Sequence, residues 1–374
     1  MAPETPIPVL FLVTHLDTGG AERQLAELVT RMDRTRFRPI VVCQKHGGRF
    51  WDPIVEAGIE AHALETPGAL DPRFPLRLAK ICRRAGVRAM VIRGFSTMVV
   101  GLAVGKMLGI RPLIMAEHAT GRIDQDPKKR PIERFLAPHI DGAIAVAKGQ
   151  IPFLVDDKGY PSDRIEVVYN GIDLQDWSPA ERDPAVLAEF GFGPDTPVVG
   201  ILAMLRPEKD HETFLRAAQR VRENVPDARF LVVGDGVERE RLEKLSAELG
   251  VDDAVVFTGR RTDVRSLLTV FDVSVLTSVT VETFPMSFLE AMAMERPLVT
   301  TRVGGVPEMI EEGENGYVVE MRDVEGLATA LTKIVGDRNV ARRMGLRSRA
   351  LVEEKFTMEM MVRQTEDYVA SFFA

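Results

Sequence analysis

The chain has 374 residues, too many for one typical hydrophobic core, and this length predicts two or three domains. Hydrophobic residues make up 45% of the sequence and charged residues 28%, as in ordinary globular proteins, and no run of 18 apolar residues provides a membrane-spanning helix. The net charge of −7 combines +3 over residues 1–180 with −10 over residues 181–374, so the basic half is the one suited to an anionic surface or substrate.

The cysteine content and the first residues predict a cytoplasmic protein. Cys43 and Cys82 form neither a disulfide framework nor a metal-ligand spacing, as expected in a reducing compartment. The N-terminal residues MAPETPIPV lack the charged and apolar regions of a signal peptide. An acidic chain with 6% aromatic residues and no nucleic-acid-binding motif argues against nucleic acid as a partner.

The first half of the chain predicts one doubly wound α/β domain. An apolar strand at 7–14 leads into a glycine-ending loop at 15–20 and then into a helix at 21–32, whose apolar residues recur at helical spacing. Further strands are predicted at 38–43, 59–64, 88–93, 111–117, 141–147 and 165–169. Helical stretches separate most of them, which favours a parallel sheet with helices on both faces.

The second half predicts another domain of the same kind. A segment rich in Pro, Gly and Asp near 172–195 marks the boundary, and we assign residues 1–178 to the first domain and 179–356 to the second. Strands of the second domain are predicted at 198–204, 229–234, 254–259, 272–278, 297–303 and 315–320. Two such domains place a ligand-binding cleft between the carboxyl ends of their strands.

The segment Ser278–Met294 contains the most informative pair of side chains. Glu282 and Glu290 have seven residues between them. Pro285 suits the first turn of a helix, so a helix is predicted from about Met286, with Glu282 on the loop before it. A helix N-terminus attracts phosphate and carboxylates accept hydrogen bonds from hydroxyls, so the segment suits a nucleotide sugar. The alternative is a solvated Glu282 and a Glu290 in a structural salt bridge.

Three other places carry candidate site residues. Gly19 and Gly20 precede a helix and allow the backbone to approach a phosphate, although they also suit a simple tight turn. Arg206 and Lys209 lie between a strand and a helix and suit a leaving diphosphate; the alternative is a solvated pair of loop charges. His118 ends an apolar strand, where a neutral imidazole can donate to a substrate oxygen, although a lone histidine is often structural.

The sequence predicts no metal site. Asp124 and Asp126 form an Asp-x-Asp pair of the kind that can hold a divalent ion on a diphosphate, but they lie in a polar loop of the first half, and we favour a solvated loop. The six histidines have no metal-ligand spacing. The loop after Gly259 follows a strand end, so Gly259 and Arg260 join the candidate donor-binding residues.

Two basic clusters interleave with apolar residues in the first half. They contain Arg73, Arg77, Lys80, Arg83, Arg84, Arg88 and Arg93, and then Lys128, Lys129, Arg130 and Arg134. Basic amphipathic stretches can dock on anionic lipid, at about 1 kcal/mol for each cation near the surface. Ordinary solvated helix faces explain the same pattern equally well.

Taken together, the motifs resemble one enzyme family. They are GGAERQL at 19–25, AEH at 116–118, NGID at 170–173, LRPEKDH at 205–211, GDG at 234–236, FTG at 257–259 and VETFPMSFLEAMAMERPLVTTRVGGVPEMI at 281–310. In this order they resemble the retaining glycosyltransferases of the GT-B fold, and most closely family 4. The resemblance covers nearly the whole chain, and the paired-glutamate block with the following GGVPE is its most specific part.

The resemblance implies a role for each matching position. Glu290 would bind the nucleotide ribose, Glu282 would hold hydroxyls of the donor sugar, and Lys209 would hold the leaving diphosphate. The backbone of Thr283, Phe284, Pro285 and Met286 would face the sugar and phosphate, the Gly19–Gly20 backbone would face the β-phosphate and the acceptor, and His118 would lie near the reactive face of the sugar. The C-terminal helix, 357–374, would cross back onto the first domain.

Two positions depart from the family pattern. Met204 stands where many members have the phosphate-binding arginine, and Arg206 is the candidate to replace it. Thr283 stands where many members have glycine after the first glutamate, which predicts a narrower pocket at the sugar.

The implied reaction moves a hexose or N-acetylhexosamine from a nucleoside diphosphate sugar to an acceptor hydroxyl, with retention at the anomeric carbon. UDP-sugars are favoured by their frequency in the family, and neither a metal nor another cofactor is expected. The acceptor would be a glycan or lipid-linked molecule of cell-surface synthesis, met in the cytoplasm or at the inner face of the membrane. Two alternatives stay open: a nucleotide-sugar epimerase of the same architecture, and a non-catalytic nucleotide-sugar-binding module.

Overall fold

A computed structural model describes residues 5–17, 19–118, 121, 128–280 and 282–374. The chain forms two compact units. The first contains Met1–Gly171 together with Met358–Ala374, and the second contains Ile172–Thr357. Among the described residues, no helix combines the length and the hydropathy that crossing a bilayer requires.

The first unit is built on a parallel sheet of seven strands. They are β1 (Ile7–Val13), β2 (Phe37–Cys43), β3 (Glu60–Ala63), β4 (Ala89–Ile92), β5 (Leu113–Glu117), β6 (Gly142–Ala145) and β7 (Ile165–Val167). Their order in the sheet is β3-β2-β1-β4-β5-β6-β7. The helices between them are α1 (Gly20–Arg31), α2 (Trp51–Glu56), α3 (Arg73–Ala85), α4 (Phe95–Leu108) and α5 (Lys129–Leu136).

The second unit repeats the plan with six parallel strands. They are β8 (Val198–Leu202), β9 (Arg229–Val233), β10 (Val255–Gly259), β11 (Val273–Leu276), β12 (Leu298–Thr301) and β13 (Gly316–Val319), in the order β10-β9-β8-β11-β12-β13. Its helices are α6 (Pro184–Glu189), α7 (His211–Asn224), α8 (Arg239–Glu248), α9 (Val264–Val270), α10 (Met286–Ala293), α11 (Val324–Val335) and α12 (Arg338–Lys355). The last helix, α13 (Met358–Ser371), belongs to the first unit.

Alternation along β1 shows why helices cover both faces of the first sheet. Leu10 and Leu12 lie in one core cluster with residues of α3 and α4, whereas Val9 and Phe11 lie in another with residues of α1 and α13. Successive side chains of a strand point to opposite faces, so a central strand buried on both sides reads as a continuous apolar run. The predicted pair of doubly wound parallel sheets is confirmed.

Helix α13 is fixed to the first unit by packing and by polar contacts. It packs beside α1 and contributes Met361 and Val369 to the same core cluster as β1. The carboxylate of Glu366 accepts a hydrogen bond from the backbone N–H of Asp33 at 2.6 Å and pairs with Arg36 at 3.3 Å.

Both sheets contain a point at which the strand order reverses. In the first it lies between β1 and β4, and in the second between β8 and β11. Loops that leave such neighbouring strands separate to opposite faces and leave a crevice at their carboxyl ends, where open α/β sheets bind ligands. The loops after β1, β8 and β11 carry most of the residues predicted for a site.

Candidate active site

In the second unit, the loops after β8 and β11 are joined by an ion pair between Lys209 and Glu282. The Lys209 ammonium donates to the Glu282 carboxylate, and the Ser278 hydroxyl donates to the same carboxylate oxygen at 3.0 Å. Only 20% of the Lys209 side chain and 11% of the Glu282 side chain are exposed. The structure therefore brings these two predicted residues into direct contact at the strand-order reversal of this sheet.

Hydrogen bonds from backbone N–H groups and hydroxyls hold the loops after β8 and β11 against each other. The Thr277 hydroxyl donates to the carbonyl of Lys209 at 2.8 Å, and the N–H of Val279 donates to the carbonyl of Glu208 at 2.9 Å. On the far side, the Thr301 hydroxyl donates to the carbonyl of Ser278 at 2.5 Å. These hydrogen bonds fix the positions of the two loops that carry the ion pair, and positioned charges of this kind are what electrostatic catalysis requires.

Helix α10 begins at Met286, as predicted from Pro285. Pro285 caps the helix with φ of −70°, a value that its ring fixes in advance. Glu290 lies within the helix and is 8% exposed, between Leu289 and Ala291, which are fully buried. A carboxylate in such surroundings requires a hydrogen-bonding or charged partner, because apolar burial disfavours its charge.

Thr283 and Phe284, between Glu282 and this helix, are both buried. Thr283 is 5% exposed and Phe284 is 3% exposed. The Phe284 ring packs edge-on against Phe356 at 5.0 Å between ring centroids. The Phe284 side chain therefore anchors the loop to the core, which leaves its backbone as the part able to contact a ligand.

Arg206 and Met204 are more exposed than Lys209. Arg206 keeps 46% of its side chain exposed, with one guanidinium nitrogen 3.9 Å from Glu208, and Met204 is 45% exposed. The carbonyl of Arg206 accepts from the N–H of Lys209 at 3.0 Å, so the two cations lie on one short turn. An exposed arginine can reorient toward a phosphate at little cost, because its ion pair in water is weak.

The GDG sequence explains how the loops after β8 and β9 come together. A Cβ at Gly234 would collide with the carbonyl oxygen of Ala203, and one at Gly236 with that of Leu205. Gly234 also donates its N–H to the carbonyl of Gly259 at 3.0 Å. These glycines therefore allow the backbone after β9 to pass directly against the backbone after β8, beside the predicted site. Arg260, the next residue after Gly259, is exposed.

In the first unit, Gly19 and Gly20 begin α1, and Gly19 has φ of +149°. A Cβ at Gly19 would collide with the Glu22 carboxylate. Glu22 in turn accepts a hydrogen bond from a guanidinium nitrogen of Arg93 at 2.9 Å. Gly19 thus makes room for the Glu22 carboxylate, which holds the Arg93 cation at the end of β4.

Arg93 belongs to the interior and not to a basic surface cluster, which corrects the grouping made from the sequence. Its side chain is 16% exposed, and its Nη1 has no hydrogen-bond partner among the described residues. The sequence indicated this interior position only by the location of Arg93, one residue beyond the end of the central strand β4, between Ile92 and Gly94.

His118 follows β5 and is a neutral imidazole. As a whole residue His118 is partly exposed, but its Nδ1 is closed off from solvent and has no partner within the described ranges. Burial, and then the positive charge of Arg93, lower the pKa of His118 to about 3. A neutral imidazole at this position can donate or accept a hydrogen bond at physiological pH.

His211, which the sequence did not select, is buried beside the ion pair. It is the first residue of α7, is 2% exposed, and its two ring nitrogens have no partner in the part of the chain that the structure describes. Burial, and then the positive charge of Lys209, lower its pKa to about 4. The sequence did contain a signal for His211. It lies only two residues after Lys209, and residues on either side of a helix start lie close together.

The described residues contain no group of three His, Cys, Asp or Glu side chains that could hold a metal ion. Asp124 and Asp126 lie outside the described residues. In the second unit the structure brings the Lys209 cation into contact with the Glu282 carboxylate, on the loop that leads into α10.

Comparison with known proteins assigns this arrangement to a class. A family model for glycosyl transferases group 1 matches residues 185–350, and one for glycosyltransferase family 4 matches residues 18–176. The structure of the Anabaena protein HepE in complex with UDP, 21% identical, has the same fold with a TM-score of 0.84 over 98% of this chain and 100% of that one. This is the fold of the GT-B glycosyltransferases.

Curated relatives agree with the family models. The N-acetyl-α-D-glucosaminyl L-malate synthase of Bacillus anthracis is 33% identical over 265 residues, which is 70% of this chain and 68% of the relative. A GDP-mannose-dependent α-(1-6)-phosphatidylinositol monomannoside mannosyltransferase of Mycolicibacterium smegmatis is 30% identical over 73% of this chain and 67% of the relative. The chain therefore belongs to the glycosyltransferases of family 4.

Proposed function

We propose that the protein transfers a hexose or N-acetylhexosamine from a nucleoside diphosphate sugar, with UDP-sugars preferred, to an acceptor hydroxyl with retention of anomeric configuration. The observation that carries this proposal is the contact between Lys209 and Glu282 at the strand-order reversal of the second sheet. On this proposal, the Lys209 cation would hold the diphosphate, and the Glu282 carboxylate beside it would accept hydrogen bonds from sugar hydroxyls. The preference for UDP is supported by HepE, which shares this fold and binds UDP in its crystal structure.

The donor would lie along the loops after β8 and β11 and the start of α10. In this pose Glu290 binds the ribose hydroxyls, Glu282 binds hydroxyls of the sugar, and Lys209 with Arg206 binds the diphosphate. The dipole of α10 favours negative charge at its N-terminal end. The backbone of residues 283–286 and the loop at Gly259 and Arg260 complete the donor side.

The proposed mechanism relies on the positive charges of the site, which face the departing diphosphate. The bond between the anomeric carbon and the diphosphate oxygen breaks, and the acceptor oxygen forms its new bond on the same face of the sugar. The acceptor proton passes to the departing phosphate oxygen, so no protein base is needed. Lys209 and Arg206 stabilise the negative charge that develops on the diphosphate, and the protein contributes positioning.

The first unit would bind the acceptor. Gly19, Gly20 and His118 lie at the carboxyl ends of β1 and β5, and His118 is neutral there, with its pKa lowered to about 3. A neutral imidazole can orient a hydroxyl without competing for the phosphate charge. The names of the relatives include both a small hydroxy acid and a lipid-linked mannoside as acceptors, and we favour a glycan or lipid-linked acceptor.

We further propose that the protein works in the cytoplasm, at the inner face of the membrane. Helix α3 presents Lys80, Arg83 and Arg84 to solvent beside Leu76, which is 71% exposed. Exposed cations around an apolar side chain favour an anionic bilayer surface. Sedimentation with vesicles containing roughly 30–40% anionic lipid against neutral vesicles, at low and high salt, tests this contact (roughly 1 kcal/mol for each cation engaged).

One experiment tests the whole proposal. The purified protein is incubated with a panel of UDP- and GDP-sugars, with and without cell lipid extract, and nucleoside diphosphate and products are followed by mass spectrometry. Acceptor-dependent release of the diphosphate, with a product whose anomeric configuration by NMR matches that of the donor, supports the proposed retaining transfer. Donor consumption without any acceptor indicates an epimerase, and tight donor binding without turnover indicates a binding module; either result rejects the proposal.

A further inference from the structure

Helix α10 and the loop before it form the segment proposed to bind the donor, and α12 supports this segment at both of its ends. Phe284, two residues before α10, packs edge-on against Phe356, the residue that follows α12, at 5.0 Å between ring centroids. Beyond the other end of α10, a Cβ at Gly345 of α12 would collide with the carbonyl oxygen of Glu295. The backbone of α12 therefore lies directly against the chain that leaves α10.

Arg349 of α12 holds the same end of α10 through polar contacts. Its Nη1 donates to the carbonyl of Ala293, the last residue of α10, at 2.9 Å. The same nitrogen donates to the carbonyl of Trp177, on the loop between β7 and α6, at 2.9 Å. Its Nε donates to Glu353, one turn further along α12, at 2.6 Å. The guanidinium is thus oriented from its own helix toward two backbone carbonyls.

The contact with Ala293 meets a general need of helix ends, because a helix leaves its last carbonyl groups without intrahelical partners. A cation at this end satisfies such a carbonyl and also complements the negative end of the helix dipole. Only 18% of the Arg349 side chain is exposed, so water competes weakly for its hydrogen bonds. Arg349 is therefore a direct attachment of α10 to α12.

The spacing of these contacts along α12 indicates a single supporting face. Gly345, Arg349 and Phe356 are separated by four and seven residues, the spacing that places side chains on one side of a helix. Helix α10 has only 8 residues, so about 12 Å separates the end that Arg349 holds from the end proposed to face the donor. So short a helix moves as a unit, and a displacement of its last residue also displaces Met286 and Glu290.

We propose that Arg349 is a positioning residue for donor binding, which acts through α10 without touching the donor. It holds the C-terminal end of α10. The N-terminal end and Glu290 then lie where the diphosphate and the ribose of a nucleoside diphosphate sugar reach them. The ligand in this inference rests on the proposed function, whereas the attachment of α10 to α12 does not.

The test compares Arg349→Met, which removes the hydrogen bonds of the guanidinium, with Arg349→Lys, which keeps the positive charge. Arg343→Met is the matched control, because Arg343 lies on the same helix and is exposed. Amide hydrogen exchange of the full chain is measured first, without nucleotide. We expect exchange in α10 to be at least about tenfold faster in Arg349→Met, because charge-assisted hydrogen bonds that oppose local opening are lost. The increase should be larger in α10 than in α7 of the same unit, whereas a general loss of stability would affect both helices.

The second measurement is the binding of UDP and GDP by calorimetry, together with KM and kcat for the donor that the panel identifies. We expect Arg349→Met to weaken nucleotide binding and to raise KM about tenfold, with kcat changed by less than about twofold, and Arg349→Lys to recover part of the loss. A purely structural role would instead reduce the fraction of active protein, which lowers the apparent kcat and leaves KM unchanged.

A double substitution tests whether Arg349 acts through Glu290. Arg349→Met should weaken nucleotide binding less in Glu290→Gln than in the unmodified chain, because the contact that depends on the position of α10 is already impaired. Fully additive effects would show that the two residues act independently.

Three outcomes overturn the inference: exchange in α10 rises no more than exchange in α7; nucleotide affinity and KM are the same in Arg349→Met and Arg343→Met; or the effects of Arg349→Met and Glu290→Gln are additive. A failure of the proposed function appears separately, as the absence of nucleotide binding and transfer in the unmodified chain. The exchange measurement then still decides whether Arg349 positions α10, since it requires neither a donor nor turnover.

Discussion

Lys209 and Glu282 lie 73 positions apart in the sequence and form an ion pair across the loops after β8 and β11. Both side chains are largely buried, and each supplies the opposite charge that the other one needs. Removal of one partner of a buried pair is strongly destabilising, whereas the intact pair contributes little net stability. Such a pair is costly as a structural device, which is consistent with a role in binding a ligand whose charge and hydroxyls compete for both groups.

Lys209→Ala should lower kcat/KM for sugar transfer by about 10²–10³-fold, since it removes a fixed cation from the leaving diphosphate. The stability of the variant is measured in parallel, and assays are run well below its melting temperature. Lys244→Ala is the matched control, because Lys244 forms an exposed ion pair with Glu240 on α8. Transfer at near the unmodified rate by Lys209→Ala would exclude the proposed role of this cation.

The sequence predicted where these two residues lie but not that they touch. Both loops follow apolar strands, and the loops after two strands that neighbour a strand-order reversal border the same crevice. Strand order is set by tertiary pairing and is not visible in the spacing of residues. The sequence therefore assigned Lys209 to phosphate and Glu282 to sugar separately, and the direct ion pair appeared only in the structure.

Arg93 and Gly236 show two further limits of structure prediction from the sequence. A charged residue one position past a strand can face solvent or the interior depending on local twist, so Arg93 was grouped with surface cations. Gly236 stood out in the sequence only as part of the GDG motif, and its close approach to Leu205 was not predictable because that residue follows another strand. By contrast, the start of α10 at Met286 was predictable because Pro285 restricts φ by covalent geometry alone.

Gly236→Ala should destabilise the protein by about 2 kcal/mol or more, because its Cβ would collide with the carbonyl of Leu205 and the main chain on both sides must shift. Urea denaturation measures the change. Gly193→Ala is the control in the same unit, since its nearest neighbour to a Cβ is the Thr196 hydroxyl at 3.4 Å. Equal stability of the two variants would show that the loops after β8 and β9 separate easily.

Stability should fall as the pH drops from about 6.5 toward 4, in part because His211 is buried as a neutral group. Its pKa is lowered to about 4 in the folded protein, so the unfolded chain binds the proton more readily than the folded one. Protonation then favours unfolding; the stabilisation is complete above the unfolded pKa of about 6.5 and is lost as the pH falls through this window.

His211→Leu removes this titration and should flatten the dependence of melting temperature on pH across the same window. His46→Gln is the control, because the His46 side chain is 61% exposed. A curve for His211→Leu that runs parallel to that of the unmodified protein would show that His211 does not contribute. The comparison uses slopes, so a uniform change in stability from the substitution does not affect it.

Thr283→Gly should widen the choice of donor sugar. Thr283 is 5% exposed on the loop between Glu282 and α10, at a position where the family pattern has glycine. A change of one small side chain in a sugar pocket shifts selectivity by about 10-fold or more. Values of kcat/KM for paired hexose and N-acetylhexosamine donors measure it, and an unchanged ratio would place the Thr283 side chain away from the sugar.

Glu290→Gln should raise the KM for donor by about 10–100-fold while the fold is retained, because the amide keeps the shape of the carboxylate but loses the charge that strengthens its hydrogen bonds to ribose. Glu290 is 8% exposed within α10, so its effect on stability is measured by thermal unfolding, with Glu325→Gln as a control at a side chain that is 73% exposed.

A donor that lacks both ribose hydroxyls distinguishes the loss of a contact between Glu290 and the ribose from a general disturbance of α10. If Glu290 contacts the ribose, the unmodified protein and Glu290→Gln should bind this donor equally weakly, because the partner of the carboxylate is already missing. If the penalty of the substitution is the same for both donors, Glu290 acts on the packing of α10 and the ribose lies elsewhere.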